Sequence, residues 1–155
     1  MKPTALPLIS VHNRQRKVAV DRASLEKFAC RALPLCVEEA GSGLATLDEV
    51  YVLLISDRRM SQLHWRFMQI AGPTDVITFE HGEIFISVET AERQARSYGS
   101  SLGQELRLYL VHGLLHLHGF DDRDPQARRR MDAIQEKIVR LASGENSRKV
   151  RKLVD

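Results

Sequence analysis

The sequence predicts an α+β fold: a small mixed β-sheet of about four strands with about five helices packed around it. Short segments rich in β-branched residues are separated by longer segments with the apolar spacing of helices. The segment 102–118 is apolar on nearly all sides, so it should form the central, buried helix. The 155 residues contain no repeat or low-complexity block, so we expect a single domain across 1–155.

The first forty residues predict two short strands and a helix. Residues 7–11 and 17–20 have strand character and are separated by a polar turn around Asn13. Asp21 can cap the following helix, and Pro34 is expected to kink or end it. The apolar residues of this helix recur at helical spacing: Leu25, Phe28, Ala29 and Ala32.

Two cysteines lie on this predicted helix, Cys30 and Cys36. They lack the CxxC spacing of a zinc site, and a disulfide is less expected than two buried free thiols.

The middle of the chain predicts strands around a second helix. Residues 49–56 form a short apolar run, typical of a strand buried on both faces. A helix capped by Ser56 or Asp57 should follow and stop at Gly72-Pro73. Its apolar stripe consists of Met60, Leu63, Phe67 and Ile70.

Two further strands are predicted at 75–79 and 82–88, joined as a hairpin through Glu80 and His81. A third helix should run from about Thr90 and end at Gly99. These are the last elements before the apolar helix.

The last two helices carry clear end signals. Ser101 and Gln104 form a capping box, and Gly119 is placed to end the same helix. Asp124-Pro125 predicts the start of the final helix. Its expected inward residues are Met131, Ile134, Ile138 and Leu141.

Composition and charge limit the class of protein. No apolar run approaches the ~18 residues of a membrane span, and the opening residues make a poor secretory signal, so a cytoplasmic protein is expected. The net charge is +3, but residues 123–152 hold ten Lys/Arg and only four Asp/Glu, including a basic tail at about 144–155. This segment could contact phosphate backbones, or it could be a solvated helix face with a frayed tail.

The stretch HGLLHLHGFDD, residues 112–122, carries the strongest chemical signal. His112 and His116 are four residues apart on a helix, so their side chains lie on one face ~5–6 Å apart and can share a metal ion. Gly119 turns the chain back, and Asp122 follows six residues after His116. This is the spacing of the metzincin zinc site, with Asp122 as the third ligand.

A peptidase of the metzincin kind has Glu directly after the first His as its general base. That position is Gly113 here, which argues against peptide hydrolysis. His118 lies on another face of the helix and is expected to pack or hydrogen-bond nearby.

Three blocks of this sequence resemble those of the YbeY family. HGLLHLHGFDD is similar to the family motif HGxLHLxGYDH, PTDVITF at 73–79 to PTDVLSF, and GEIFIS at 82–87 to GDIxIS. Their order and the layout of helices and strands also fit, over roughly residues 50–140. The resemblance implies a zinc-dependent endoribonuclease that cleaves single-stranded RNA in ribosomal RNA maturation, with the small ribosomal subunit as a partner.

The sequence departs from the family pattern at the third ligand. The family has His there, and this chain has Asp122, with Asp121 adjacent. Aspartate can bind zinc, but it adds negative charge and could favour a harder divalent metal such as Mn²⁺. One metal ion per chain is expected.

The sequence also departs at an arginine that the family places before PTDV to meet substrate phosphate. In an ungapped alignment that position is Met68, and Arg66 lies about 200° away around the helix. Arg66 is the candidate substitute, and His64, at a family Asn, could line the same cleft. These departures leave a second hypothesis, a catalytically impaired ribosome-assembly or RNA-binding factor of the same fold.

Overall fold

The structure is a computed structural model that describes residues 6–144. The four strands are β1 (Leu8–Asn13), β2 (Glu49–Ile55), β3 (Val76–Phe79) and β4 (Glu83–Ser87). The five α-helices are α1 (Arg22–Val37), α2 (Asp57–Met68), α3 (Val88–Tyr98), α4 (Leu102–His118) and α5 (Pro125–Ser143). A 3₁₀ turn, Leu44–Thr46, precedes β2.

The strands form one mixed sheet in the order β1-β2-β4-β3. β1, β2 and β4 are parallel neighbours, and β3 is antiparallel to β4. In the hairpin Val76 lies opposite Ile86 and Phe79 opposite Glu83. The predicted α+β fold with a small mixed sheet is therefore confirmed.

Alternation along the strands divides the apolar side chains between two faces of the sheet. Val52 and Leu54 of β2 face the main core, which the sheet forms with α1, α3, α4 and α5. Ile55 and Ile77 lie on the other face and pack with Met60 of α2 in a smaller cluster. The sheet is thus covered by α1, α3 and α4 on one side, with α5 packed on α1 and α4, and partly by α2 on the other.

Helix α4 lies at the centre of the molecule. It packs against α1, α3 and α5 and against strands β3 and β4. The capping box predicted at its start is present: the Gln104 N–H donates to Ser101 Oγ, and the Ser101 N–H donates to Gln104 Oε1.

Within the described residues, no helix is long and apolar enough to cross a membrane.

The predicted strand at 17–20 is wrong. The backbone N–H and C=O of Val18 bond to the side-chain amide of Gln15, at 3.0 and 2.7 Å, and not to a neighbouring strand. Val18 and Val20 still pack against the main core. Their apolar character therefore reflects partial burial without a β-ladder. Strand β1 is longer than predicted and ends at Asn13, within the predicted turn.

Pro34 does not end α1, which continues to Val37. The carbonyl that a proline at 34 cannot bond belongs to Cys30, which is exposed, so water can satisfy it. Both cysteines are free, as predicted, but only Cys36 is buried, and the expected burial of Cys30 is wrong. Burial raises the pKa of the Cys36 thiol to about 12, so this thiol is inert.

Two helices differ from the sequence prediction, α2 in where it ends and α5 in which residues it buries. Helix α2 ends at Met68, before Gly72, because Gln69 adopts a left-handed backbone conformation with φ 54°. On α5, Leu141 is 59% exposed, and Val139 and Ala142 are buried in its place.

The basic tail predicted at about 144–155 lies outside the described residues after Gly144. The prediction of one domain across 1–155 therefore stays a prediction.

Candidate metal centre

The two histidines of the predicted motif face each other at the end of α4. His112 is buried and His116 is half-buried. Their rings are nearly perpendicular, with centroids 4.5 Å apart, and their Nε2 atoms are 3.0 Å apart. The four-residue spacing on a regular helix therefore produces the paired imidazoles that it predicts.

Asp122 reaches the histidines because the chain reverses directly after α4. Gly119 takes a φ of 113°, a conformation that residues with a side chain rarely adopt, and the Phe120 N–H bonds the Leu115 carbonyl. Asp122 Oδ2 then lies 4.0 Å from His112 Nε2 and 3.8 Å from His116 Nε2. The helix end thus delivers the third side chain to the histidine pair.

The three side chains fit a divalent metal ion by geometry and donor type. One ligand atom from each of His112, His116 and Asp122 lies within 4.8 Å of the others. Two nitrogens bound to one tetrahedral zinc ion at 2.0–2.1 Å are about 3.3 Å apart, close to the spacing of the two Nε2 atoms. Small adjustments of the side chains would therefore complete the coordination.

Outer hydrogen bonds fix the orientation of both rings. His112 Nδ1 lies 2.8 Å from Oε1 of Gln135, a buried residue of α5, and His116 Nδ1 lies 3.0 Å from the Phe120 carbonyl oxygen. Both partners are oxygen acceptors, so these hydrogen bonds form in the tautomer that carries its proton on Nδ1 and leaves Nε2 for a metal ion. Metal-bound histidines are held in this way by partners outside the coordination sphere.

The positions of these protons determine what the facing nitrogens can do. In the tautomer with the proton on Nδ1, the Nε2 atoms of His112 and His116 present their lone pairs beside the Asp122 carboxylate. A cation bound among these three groups would offset the repulsion between three electron-pair donors at short range. The arrangement therefore favours a bound cation.

The group lies in a cleft of about 650 Å³. Its floor is formed by α4, one wall by β3 with the segment before it, and another by α3. The lining residues besides the three candidate ligands are Met68, Pro73, Thr74, Asp75, Val76, Ile77, Thr78, Thr90 and Gln94. The cleft is large enough for part of a polymeric substrate, and its hydroxyl and amide groups can hydrogen-bond to one.

Gly113 shows why the base of a metallopeptidase is missing. A Cβ atom built at this position would lie 2.7 Å from Cγ2 of Ile84, a buried residue of β4. A glutamate side chain at 113 would therefore run into the sheet and not into the cleft. The structure supports the argument from sequence against peptide hydrolysis.

His118 and Asp121, the neighbouring candidates, do not join the group. The His118 ring bonds the Leu44 N–H through Nδ1 and the Glu39 carbonyl through Nε2, so it hydrogen-bonds nearby as predicted. Asp121 Oδ1 accepts from the Arg123 N–H in a local turn. Of the two adjacent aspartates, Asp122 is the one that faces the histidines.

Of the α2 positions discussed above, the one aligned with the family arginine lies at the cleft. Met68 lines the cleft, whereas Arg66 and His64 are not among its lining residues. The guanidinium carbon of Arg66 is 5.5 Å from the centre of the Phe67 ring, and His64 Nδ1 lies 2.9 Å from the Gly72 carbonyl oxygen. A contact of Arg66 with substrate phosphate stays a prediction.

Sequence reasoning missed Gln135, Thr90 and Gln94. The signal for Gln135 was a polar residue on the apolar stripe of α5, between Met131 and Ile138. Thr90 and Gln94 are one turn apart on α3, and nothing in their spacing indicated that this helix borders the cleft. Their role follows only from the packing of α3 against α4.

A polar network next to the cleft joins α2 to α3. Asp57 accepts hydrogen bonds from Ser87, Thr90 and Arg93, at 2.6, 2.7 and 2.5 Å. Partial burial alone would raise the pKa of Asp57, but the hydrogen bonds from these three side chains outweigh it and lower that pKa. The network therefore fixes the start of α2 against the wall that carries Thr90.

Fold and site together define an α+β protein with a metzincin-like candidate metal centre, of the type that metal-dependent hydrolases use. A family model described as Endoribonuclease YbeY matches residues 10–143. The chain therefore belongs to the YbeY endoribonuclease family, which confirms the resemblance and the enzyme class predicted from the sequence.

Individual relatives agree with this assignment. The chain is 39% identical to Endoribonuclease YbeY of Heliobacterium modesticaldum over 126 residues, covering 68% of this chain and 75% of that protein. It is 36% identical to Endoribonuclease YbeY of Synechococcus sp. over 129 residues, covering 74% and 73%. It is also similar to a Thermotoga maritima protein whose structure was determined in solution, with a TM-score of 0.62, 26% identity and coverage of 88% and 90%.

Proposed function

We propose that this member of the family cleaves single-stranded RNA with one zinc ion held by His112, His116 and Asp122. We further propose that its substrate is ribosomal RNA, that it acts with the small ribosomal subunit, and that it does so in the cytoplasm. The observation that carries the proposal is the convergence of the three ligand atoms within 4.8 Å on the floor of an open cleft. Membership of the endoribonuclease family gives the reaction its class.

A zinc ion held by these three residues would lower the pKa of its bound water to ~7 and would polarise a phosphoryl oxygen. The protein holds the ligands ready for that ion. Gln135 and the Phe120 carbonyl keep the protons of both histidines on Nδ1, so that each Nε2 presents its lone pair. Asp122 adds a negative charge beside them, which partly neutralises the cation and makes it a weaker Lewis acid.

The walls of the cleft supply neutral polar groups for the substrate. Thr78 lies on β3 and Gln94 lies on α3, whereas the hydroxyls of Thr74 and Thr90 already donate to carboxylates. The Thr78 hydroxyl and the Gln94 amide can donate to phosphate oxygens and to ribose hydroxyls without a charge of their own. They are therefore the groups that we expect to position the RNA chain over the metal centre.

The proposal is tested by metal content and RNA cleavage measured on the same purified protein. About one zinc per chain and cleavage of single-stranded RNA are expected for the wild type, and both should be lost in His112→Ala. His118→Asn is the matched control, because His118 is a buried histidine of the same helix outside the group; it should keep the zinc. Metal-free protein that takes up no zinc on dialysis would refute the proposal.

The second hypothesis, a catalytically impaired RNA-binding factor, is favoured by one observation. No Lys or Arg is found among the described residues that line the cleft. Binding of RNA or of the small subunit with no metal-dependent cleavage would support this hypothesis and would contradict the one proposed above.

A further inference from the structure

Large apolar side chains are exposed at the end of α2, next to the candidate metal centre. Trp65, Phe67, Met68 and Ile70 form what we call the α2 strip, in which Trp65 is 61% and Met68 45% exposed. Four of the nine exposed large apolar side chains in the part of the chain that the structure describes thus fall within six consecutive positions. Clustered apolar exposure of this kind marks an interaction surface.

The α2 strip is continuous with the cleft. Met68 belongs to both, since it lines the cleft together with His112, His116 and Asp122. Trp65 lies one helical turn before Met68 and so neighbours it on the helix surface. Trp65 is therefore the exposed apolar side chain one turn from Met68 on the same side of α2.

Phe67 has a different position from Trp65. Its ring is edge-on to Phe79, with centroids 5.0 Å apart, and so helps to anchor the end of α2 on the sheet. Phe67 therefore contacts the sheet with part of its ring, and Trp65 is the more exposed of the two aromatic side chains of α2.

Positive charge accompanies these apolar residues. Arg58, Arg59 and Arg66 are exposed on α2, and Arg58 shares the face of Trp65 because seven residues make about two turns. The helix has a single acidic residue, Asp57, whose carboxylate accepts from Arg93 and is thereby neutralised. Among the described lining residues the cleft has no cationic side chain, and these arginines lie on the same helix as Met68, which does line it.

We propose that the α2 strip is a base-stacking surface for single-stranded RNA, with Trp65 stacking on one base and Arg58 meeting a phosphate. The proposal rests on the proposed function, since it places the strand that enters or leaves the metal centre. A single strand exposes base faces and a phosphate backbone. Aromatic side chains can stack on the bases, and arginines between them can bind the phosphates. A duplex keeps its base faces stacked inside and cannot use this surface.

Trp65 is the single tryptophan of the chain, so its fluorescence reports on this surface alone. Wild-type protein is mixed in a stopped-flow instrument with a twelve-residue oligoadenylate, so that binding is recorded before cleavage. Stacking of a base on the indole should quench the emission. An RNA duplex of the same length, which carries more phosphate charge, should bind without comparable quenching.

Substitutions at Trp65 separate stacking from folding. Trp65→Ala should weaken oligoadenylate binding on the order of tenfold, as expected for the loss of one base stack, and Trp65→Phe should restore most of it. In cleavage assays Trp65→Ala should raise KM and leave kcat within about twofold. Leu141→Ala, at an exposed apolar residue of α5, is the control and should change neither the affinity for oligoadenylate nor KM.

Removal of positive charge gives an independent readout. The log of the binding constant falls with the log of the salt concentration, with a negative slope. In Arg58→Ala the magnitude of this slope should be smaller by about 0.7, the value for one phosphate contact on a single strand. An unchanged slope would show that Arg58 does not meet a phosphate and would overturn that part of the proposal.

The outcomes separate this proposal from the proposed function. Unchanged affinity in Trp65→Ala, or bound oligoadenylate without quenching, would overturn the stacking surface even if cleavage is intact. Quenching without any metal-dependent cleavage would support the surface and overturn the proposed hydrolysis. An emission change on raising the protein concentration alone, with a doubled molecular mass, would overturn the proposal by assigning the α2 strip to a second copy of the chain.

Discussion

Gln135 holds the buried ring of His112 through a 2.8 Å hydrogen bond at Nδ1, although 23 residues separate them in the chain. The bond ties α5 to α4 directly behind the candidate metal centre. It also fixes which nitrogen of His112 faces the cleft, since a proton on Nδ1 leaves the Nε2 lone pair for a metal ion. Gln135 is therefore a positioning residue for a ligand that it orients from outside the coordination sphere.

Gln135→Leu should weaken zinc binding by about 10- to 100-fold, because the His112 ring loses its fixed orientation and its buried N–H loses an acceptor. Zinc affinity is measured by competition with a chelator. Gln135→Glu, which keeps an acceptor oxygen at the same place, is the control and should retain most of the affinity. Equal losses in both variants would show that the bond does not orient the ring.

Asp122→Asn should lower zinc affinity by more than the ~10–100-fold typical of an outer partner, because the carboxylate itself is lost from the group. Asp121→Asn is the matched control: it removes the same charge one residue earlier, where Asp121 only accepts from the Arg123 N–H. Isothermal titration with zinc compares the two. A stronger effect at Asp121 would reverse the assignment of the third ligand.

Gly113→Ala should destabilise the protein by roughly 1–3 kcal/mol, since the added Cβ would lie 2.7 Å from Ile84 and force the packed core apart. Gly103→Ala is the control on the same helix, because its Cβ would meet nothing closer than 3.9 Å. That change should stabilise α4 by up to about 1 kcal/mol through helix propensity. Urea unfolding measures both, and equal stability would contradict the close packing of α4 on β4.

Asp57→Asn should destabilise the protein at pH 7 by about 1–3 kcal/mol, since Arg93, Ser87 and Thr90 lose a charged acceptor. The folded-state pKa of Asp57 lies below the unfolded value of ~3.9. The ionised Asp57 carboxylate therefore adds to the free energy of unfolding above pH ~3.9. This added stability is lost as the pH falls through the folded pKa. Unfolding free energies of both proteins should converge as the pH falls below the folded pKa of Asp57, and a constant difference would contradict the linkage.

Local spacing made the core of the candidate site predictable from the sequence. His112 and His116 are four residues apart on a helix whose start and end are both signalled, and Gly119 turns the chain so that Asp122 follows. Such a site depends on a single element and its end. The fold class was predictable for a similar reason, because each strand and helix carries its own periodicity.

Features that depend on contacts between distant segments were not predictable. The bond from Gln135 to His112 requires the docking of α5 on α4, and Thr90 lines the cleft only because α3 packs beside α4. The segment 17–20 has strand-like residues, yet the Gln15 side chain satisfies Val18 in place of a strand. The left-handed Gln69 ends α2 at Met68, before the predicted stop at Gly72.

The central claim is that His112, His116 and Asp122 form a zinc site on which RNA cleavage depends. The most direct test strips the purified protein of metal with a chelator and titrates zinc back while cleavage of a single-stranded RNA is followed. Activity should be absent at the start and rise linearly to a plateau at one equivalent of zinc per chain. Cleavage that survives metal removal, or that never appears at one equivalent, would contradict the account.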